Sequence, residues 1–262
     1  MKNNKSLGQH WLKDRVILDE IAELSLGNAP ETSLDTSESR LCLEIGPGLG
    51  TLTSSLLRVF PRVLAVEFDE NLANNLPKSF PGKNLTVVNQ DFLQFDLDSV
   101  ESPYVVAGNI PYYITSPIIL KLLEAQNQPD NIVLLVQKEV AERIAATTGK
   151  YTVLSLSVQN LAEVKLGPVV PKDLFTPPPK VDSQVIILTP KPAPTISADA
   201  LNLAKKAFSA PRKKLVKNLS GFYPVKSLRS ALTEAGLSLD VRPSVPALET
   251  WQKLYDILQN KT

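Results

Sequence analysis

The 262-residue chain has one cysteine, one histidine and one methionine, and these shortages exclude several kinds of chemistry. With Cys42 alone, no disulfide forms within the chain, and with His10 as the sole imidazole no zinc site of the usual Cys/His kind can be assembled. A hydrolase built on a histidine base would have to use His10. Cys42 sits in the apolar run Leu41-Cys42-Leu43, where a buried small hydrophobe is the expected role. The polar start Met1-Lys-Asn-Asn-Lys-Ser has no apolar stretch of the signal-peptide kind, and no run approaches the ~18–20 apolar residues of a membrane span. The expected location is therefore the cytoplasm, with no membrane partner and no metal.

The apolar content of 43% and charged content of 21% are those of a globular protein with ample material for a core. The net charge of +1 hides an imbalance. Residues 195–262 carry 11 Lys/Arg against 5 Asp/Glu, a net +6, whereas residues 1–194 carry 17 against 22, a net −5. A basic C-terminal region suits a polyanionic partner, although a solvated helical surface also accounts for it.

Short apolar runs alternate with helical patterns over residues 41–136. The runs Leu41–Ile45, Val63–Val66, Leu85–Val88, Tyr104–Ala107 and Ile132–Val136 read as five buried strands. Leu49, Leu52, Leu56, Leu57 and Phe60 keep helical spacing up to Pro61, and residues 137–146 predict a further helix. Such alternation predicts a mostly parallel, doubly wound α/β sheet. Residues 164–170 and 185–188 predict late strands at an antiparallel edge. Pro190-Lys-Pro-Ala-Pro194 reads as a linker, dividing a domain over residues 1–190 from a small helical domain over 195–262. Pro211 either restarts or kinks the helical stretch 205–219. The acidic, Ser/Thr-rich stretch 31–39 reads as an exposed loop.

Four strand ends carry the candidate site. Glu44-Ile45-Gly46-Pro47-Gly48-Leu49-Gly50 joins the first strand to a helix, where glycines permit close approach of a ligand. Position 51 is Thr rather than the third Gly of a dinucleotide fingerprint, and no Gly-Lys-Ser/Thr of a P-loop occurs. Glu67 ends the second strand, placed to accept both hydroxyls of a ribose. Asp91 follows the third strand, placed to accept from an adenine amine. Together these positions describe an adenosine site without a pyrophosphate cradle, which fits S-adenosylmethionine better than NAD or ATP. After the fourth strand come a Gly turn and Asn109-Ile110-Pro111-Tyr112-Tyr113. Here Asn109 can accept from an exocyclic amine and Tyr112 can stack on a base, or Pro111 can simply fix a strand-to-loop corner. A sulfonium methyl donor brings its own leaving group, so transfer needs positioning more than a histidine base.

These segments resemble the ribosomal RNA adenine dimethyltransferases, in particular the bacterial small-subunit branch. The resemblance runs nearly end to end. It comprises Leu7-Gly8-Gln9-His10-Trp11-Leu12, the residue 43–50 stretch, Val66-Glu67, Gln90-Asp91, Gly108–Tyr112, Gln137–Ala141 and Phe175-Thr176-Pro177-Pro178-Pro179-Lys180-Val181-Asp182-Ser183. It implies a Rossmann-like S-adenosylmethionine-dependent methyltransferase sheet with a small C-terminal helical domain that helps to dock RNA. It further implies dimethylation of two adjacent adenines in a small-subunit (16S) rRNA hairpin loop, coupled to assembly of the immature small subunit; the expected oligomeric state is a monomer. His10, Leu12, Gly46, Glu67, Asp91 and Asn109 would contact the cofactor, with Gln9 close by. Asn109 and Tyr112 would hold the target adenine and Phe175 would cover its other face, the alternative for Phe175 being a loop anchor packed on the core. Three positions depart from the family pattern: His10 replaces the usual Asn, Thr152 a usual Gly, and Ser209–Lys214 has lost part of a Gln-Arg-Arg-Lys stretch. Rival readings are the antibiotic-resistance (Erm-type) branch acting on large-subunit RNA, and a non-catalytic RNA-binding assembly factor.

Overall fold

The computed structural model describes residues 10–27 and 40–260. The expected loop at 31–39 and the motif residues Leu7, Gly8 and Gln9 lie outside the described residues. The strands are β1 (Trp11–Leu12), β2 (Leu41–Ile45), β3 (Arg62–Glu67), β4 (Leu85–Asn89), β5 (Tyr104–Asn109), β6 (Ile132–Gln137), β7 (Ala162–Val170), β8 (Phe175–Thr176) and β9 (Ser183–Pro190). The helices are α1 (Arg15–Ser25), α2 (Thr51–Val59), α3 (Glu70–Ser79), α4 (Thr115–Glu124), α5 (Lys138–Ile144), α6 (Val153–Leu161), α7 (Ala198–Ala207), α8 (Leu215–Leu219), α9 (Val225–Glu234) and α10 (Leu248–Gln259).

Seven strands form one sheet in the order β4-β3-β2-β5-β6-β9-β7. The first five pair in parallel and β9 runs antiparallel to β6. All residues of β2 and the first five of β5 are buried, which is why these strands read as unbroken apolar runs. Residues 183–190 do form an antiparallel strand, but it lies inside the sheet, and β7 forms the edge beyond it. The strand order reverses between β2 and β5, so the crevice that binds ligands in such sheets opens there. The register places Ile45 level with both Val66 and Gly108, and Glu67 level with Asn89. Four loops therefore leave the sheet side by side.

One expectation changes here. The fourth strand does not end in a turn at Gly108, because β5 continues through it to Asn109. A Cβ at Gly108 would lie 2.9 Å from the Ile45 carbonyl oxygen, so glycine is required by the close approach of two strands. Pro111 then opens a 3₁₀ turn over Tyr112–Ile114.

The chain divides into two compact units. One comprises the described residues up to Ala141 together with Glu163–Pro190, and its core joins Leu18, Ile21, Leu56, Val105, Val133 and Val185. The other comprises Glu142–Ala162 together with the described residues from Lys191 onward. The division expected at residue 190 thus needs amending, because 142–162 join the helical unit. Leu156 of α6 shares an apolar cluster with Leu203, Leu232 and Trp251, and Asn160 Oδ1 accepts from the Ile196 amide at 2.8 Å. Thr152 caps α6 through a reciprocal pair with Ser155, in extended backbone (φ −128°) that requires no glycine. The departure from Gly at that position therefore costs the local backbone nothing. Pro211 lies between α7 and α8, so the helical stretch restarts rather than kinks.

Candidate active site

A cavity of about 200 Å³ opens at the carboxyl ends of β2, β3, β4 and β5. It is lined by His10 and Trp11 before α1, the Glu44–Gly48 turn, Glu67 and Phe68, Gln90–Leu93 and Asn109–Ile114. Of the residues predicted for the site, His10, Gly46, Glu67, Asp91, Asn109 and Tyr112 therefore come together.

Each is held by its own backbone setting. Gly46 has φ +64°, and a Cβ there would meet nothing within 4 Å, so the lack of a side chain leaves space that a ligand can fill. Glu67, the last residue of β3, is buried, with Oε2 accepting from the Gly48 amide and Oε1 from the Asp69 amide, both at 2.9 Å. These two bonds fix the carboxylate plane, and each oxygen retains a lone pair for a hydroxyl donor. Burial pushes the Glu67 carboxyl above its ordinary value, while the Asp69 and Gly48 amides pull it back. Asp91 Oδ1 accepts from the Leu93 amide at 2.9 Å, capping the turn after β4. Asn109 Nδ2 donates to the His10 carbonyl at 2.9 Å, which leaves Oδ1 as the side chain's acceptor. His10 Nδ1 donates to the Pro177 carbonyl at 2.8 Å, and its ring stacks on Tyr112 with centroids 6.0 Å apart. Tyr112 is half-buried, with burial pushing its phenol upward.

Two predicted residues do not line the cavity. Phe175 is 2% exposed and belongs to the apolar core together with Leu12, which is fully buried. The cause is the antiparallel pairing of β1 with β8, which sets Leu12 opposite Phe175. This burial supports the loop-anchor alternative for Phe175 over the base-covering one. Phe175 does not line the cavity that Tyr112 lines, so this structure gives no support to the expected sandwich of a base between them.

Glu44 is a further site residue, one that no sequence motif singled out. It is 1% exposed, lines the cavity from β2, and its Oε2 has no hydrogen-bond partner in the protein. Burial pushes its carboxyl from 4.5 up to about 8, Thr53 pulling it down and the nearby Glu67 charge adding to the rise. A charge in the middle of an otherwise apolar strand was the signal that could have revealed it. Two buried carboxylates beside an open glycine turn form a site for a cationic ligand with hydroxyls to donate. S-adenosylmethionine, a sulfonium with an α-ammonium group and a ribose, fits that donor set.

Sheet order, cavity position and polar lining define a Rossmann-like S-adenosylmethionine-dependent methyltransferase. Comparison with known proteins narrows the class. The family profile described as ribosomal RNA adenine dimethylase matches residues 1–260. The ribosomal RNA small subunit methyltransferase A of Synechococcus sp. (strain JA-3-3Ab) is 39% identical, over 98% of this chain and 94% of the relative. The protein of the same name from Gloeobacter violaceus is 41% identical, over 95% and 91%. Among solved structures, a dimethyladenosine transferase from Plasmodium falciparum superposes with TM-score 0.79 at 27% identity, covering 95% of this chain and 98% of that one. The 23S rRNA methyltransferase ErmE superposes with TM-score 0.76 at 29% identity, covering 95% and 99%. The chain belongs to the ribosomal RNA adenine dimethylase family, whose methyl donor is S-adenosylmethionine.

Proposed function

We propose that this enzyme dimethylates the exocyclic N6 amines of two adjacent adenines in a small-subunit (16S) rRNA hairpin loop, as a cytoplasmic monomer acting on the immature small subunit. The observation that carries the reading is the tethered amide of Asn109. Because Nδ2 donates to the His10 carbonyl, the amide is held in one orientation, with Oδ1 the acceptor available to an amine. Adenine's amine is a poor nucleophile, since its lone pair is delocalised into the ring. Acceptance of the amine hydrogens by Asn109 Oδ1 and the Ile110 carbonyl localises that pair on nitrogen, and Tyr112 supplies a stacking face for the extruded base.

S-adenosylmethionine, when bound, supplies an electrophilic methyl group and its own leaving group. Glu67 would hold the ribose hydroxyls, Asp91 the adenine amine of the cofactor and Gly46 the close backbone approach. Glu44, ionised by the arrival of a cation, would hold the positively charged end. His10 would contact the cofactor, and its carbonyl, which accepts from Asn109 Nδ2, orients that amide.

The small-subunit assignment rests on relatives named for that subunit, which are 39% and 41% identical, against 29% for the 23S enzyme. The helical unit would dock RNA with Arg212, Lys213 and Lys217, which are exposed, whereas Lys214 pairs with Asp240 at 2.5 Å. Labelled methyl transfer to small subunits lacking the modification, set against naked large-subunit RNA, tests the assignment. Dimethyladenosine in the small-subunit RNA alone is expected; label in the large-subunit RNA alone would reverse the choice.

A further inference from the structure

The most specific motif in the chain, residues 175–183, contributes no lining to the cavity, yet it is stitched to the segments that do. Phe175 and Thr176 pair with Leu12 and Trp11, and the Pro177 carbonyl accepts from His10 Nδ1. At the far end, Ser183 opens β9 opposite Gln137 of β6, so the sheet register fixes its backbone. Ser183 is fully buried, and its Oγ shares a 2.6 Å hydrogen bond with Tyr112 Oη. Tyr112 itself sits on a short 3₁₀ turn, where no strand ladder determines the direction of its ring. The ring is thus held at its hydroxyl by Ser183 and on its face by the His10 imidazole.

From this geometry we infer that Ser183 is a positioning residue, fixing through its hydroxyl the Tyr112 ring on which the target adenine stacks. The inference rests on the stacking role proposed for Tyr112. A ring free to swing would still let RNA and cofactor bind but would misplace the amine, and small misplacements are costly in rate.

The test is steady-state methyl transfer to unmodified small subunits at saturating S-adenosylmethionine, with cofactor affinity measured by calorimetry. Ser183→Ala and Tyr112→Phe remove the same hydrogen bond from opposite ends. Each is expected to lower kcat about tenfold while cofactor affinity and KM for RNA hold. The double variant should fall no further than either single one, because the bond can be lost only once. Ser183→Thr, which keeps a hydroxyl, should restore most of the rate. A wild-type kcat for Ser183→Ala, or losses that multiply in the double variant, overturns the inference. Should Ser183→Ala fail to fold, Tyr112→Phe decides alone: an unchanged kcat overturns the inference and a tenfold loss supports it. Tyr112→Ala separates the two layers. If it turns over like wild type, the stacking reading itself falls; if it collapses the rate while Ser183→Ala does not, only the positioning role falls.

Discussion

Segments 108–113 and 175–183 carry the chain's two most specific motifs and each bears an aromatic residue, but they face different surroundings. In the first, Asn109 and Tyr112 line the cavity and Tyr113 stands 65% exposed at its edge. In the second, Phe175 is turned into the core, and the segment reaches the cavity residues through the pairing of Thr176 with Trp11, the Pro177 carbonyl and the Ser183 hydroxyl. A motif can thus be specific because it frames a site rather than because it touches the substrate. In the proposed reaction one segment would supply the groups that meet the amine, and the other the rigidity that aims them.

The comparison predicts unequal effects. Asn109→Ala removes the acceptor on the first segment and should lower kcat by about 10²- to 10³-fold, the scale for loss of one preorganised hydrogen-bonding group. Single-turnover transfer at saturating cofactor is the measurement. Tyr112→Leu keeps apolar bulk but loses the stacking face, so its kcat should fall about 5- to 150-fold, from ~1–3 kcal/mol of stacking. Cofactor affinity, followed in the same preparation by calorimetry, should be retained.

A smaller effect separates the cavity floor from both segments. The Glu44 carboxyl in the folded protein titrates at about 8, above its ordinary 4.5. The folded state therefore binds the proton more tightly, and the stability this contributes is complete below pH 4.5 and lost as pH rises through about 8. Wild type should accordingly lose ground to Glu44→Gln in urea midpoint over that window and keep a constant offset below it. A cationic ligand favours the ionised carboxylate, so wild-type affinity for S-adenosylmethionine should rise across the same window. That rise should be blunted in Glu44→Gln.

Much of the sheet was legible because buried parallel strands read as unbroken apolar runs, and each of the five expected runs lies within an observed strand. The missed end of β5 has a physical reason. A glycine before Asn and Pro looks like a turn, and only the neighbouring Ile45 carbonyl shows that the residue is glycine for lack of room. Glu67 and Asp91 could be placed from their strand ends alone, since a carboxylate there has few places to point. The inward turn of Phe175 was not legible, because it depends on the pairing of β1 with β8, which are far apart in sequence. Nor was the Tyr112–Ser183 bond, between residues 71 positions apart. The apolar face of α6 gave no sign of which core it would join, so the unit boundary was misplaced for residues 142–162.

The division of labour between the two segments is tested most directly by measuring kcat for Phe175→Leu beside Tyr112→Leu, at saturating S-adenosylmethionine and unmodified small subunits. Phe175→Leu should lose ~1–2 kcal/mol of unfolding free energy, as core shape changes do, while turning over close to wild type. Tyr112→Leu should lose its rate while remaining folded. Equal losses of kcat in the two variants would contradict the account, because they would put Phe175 back against the substrate.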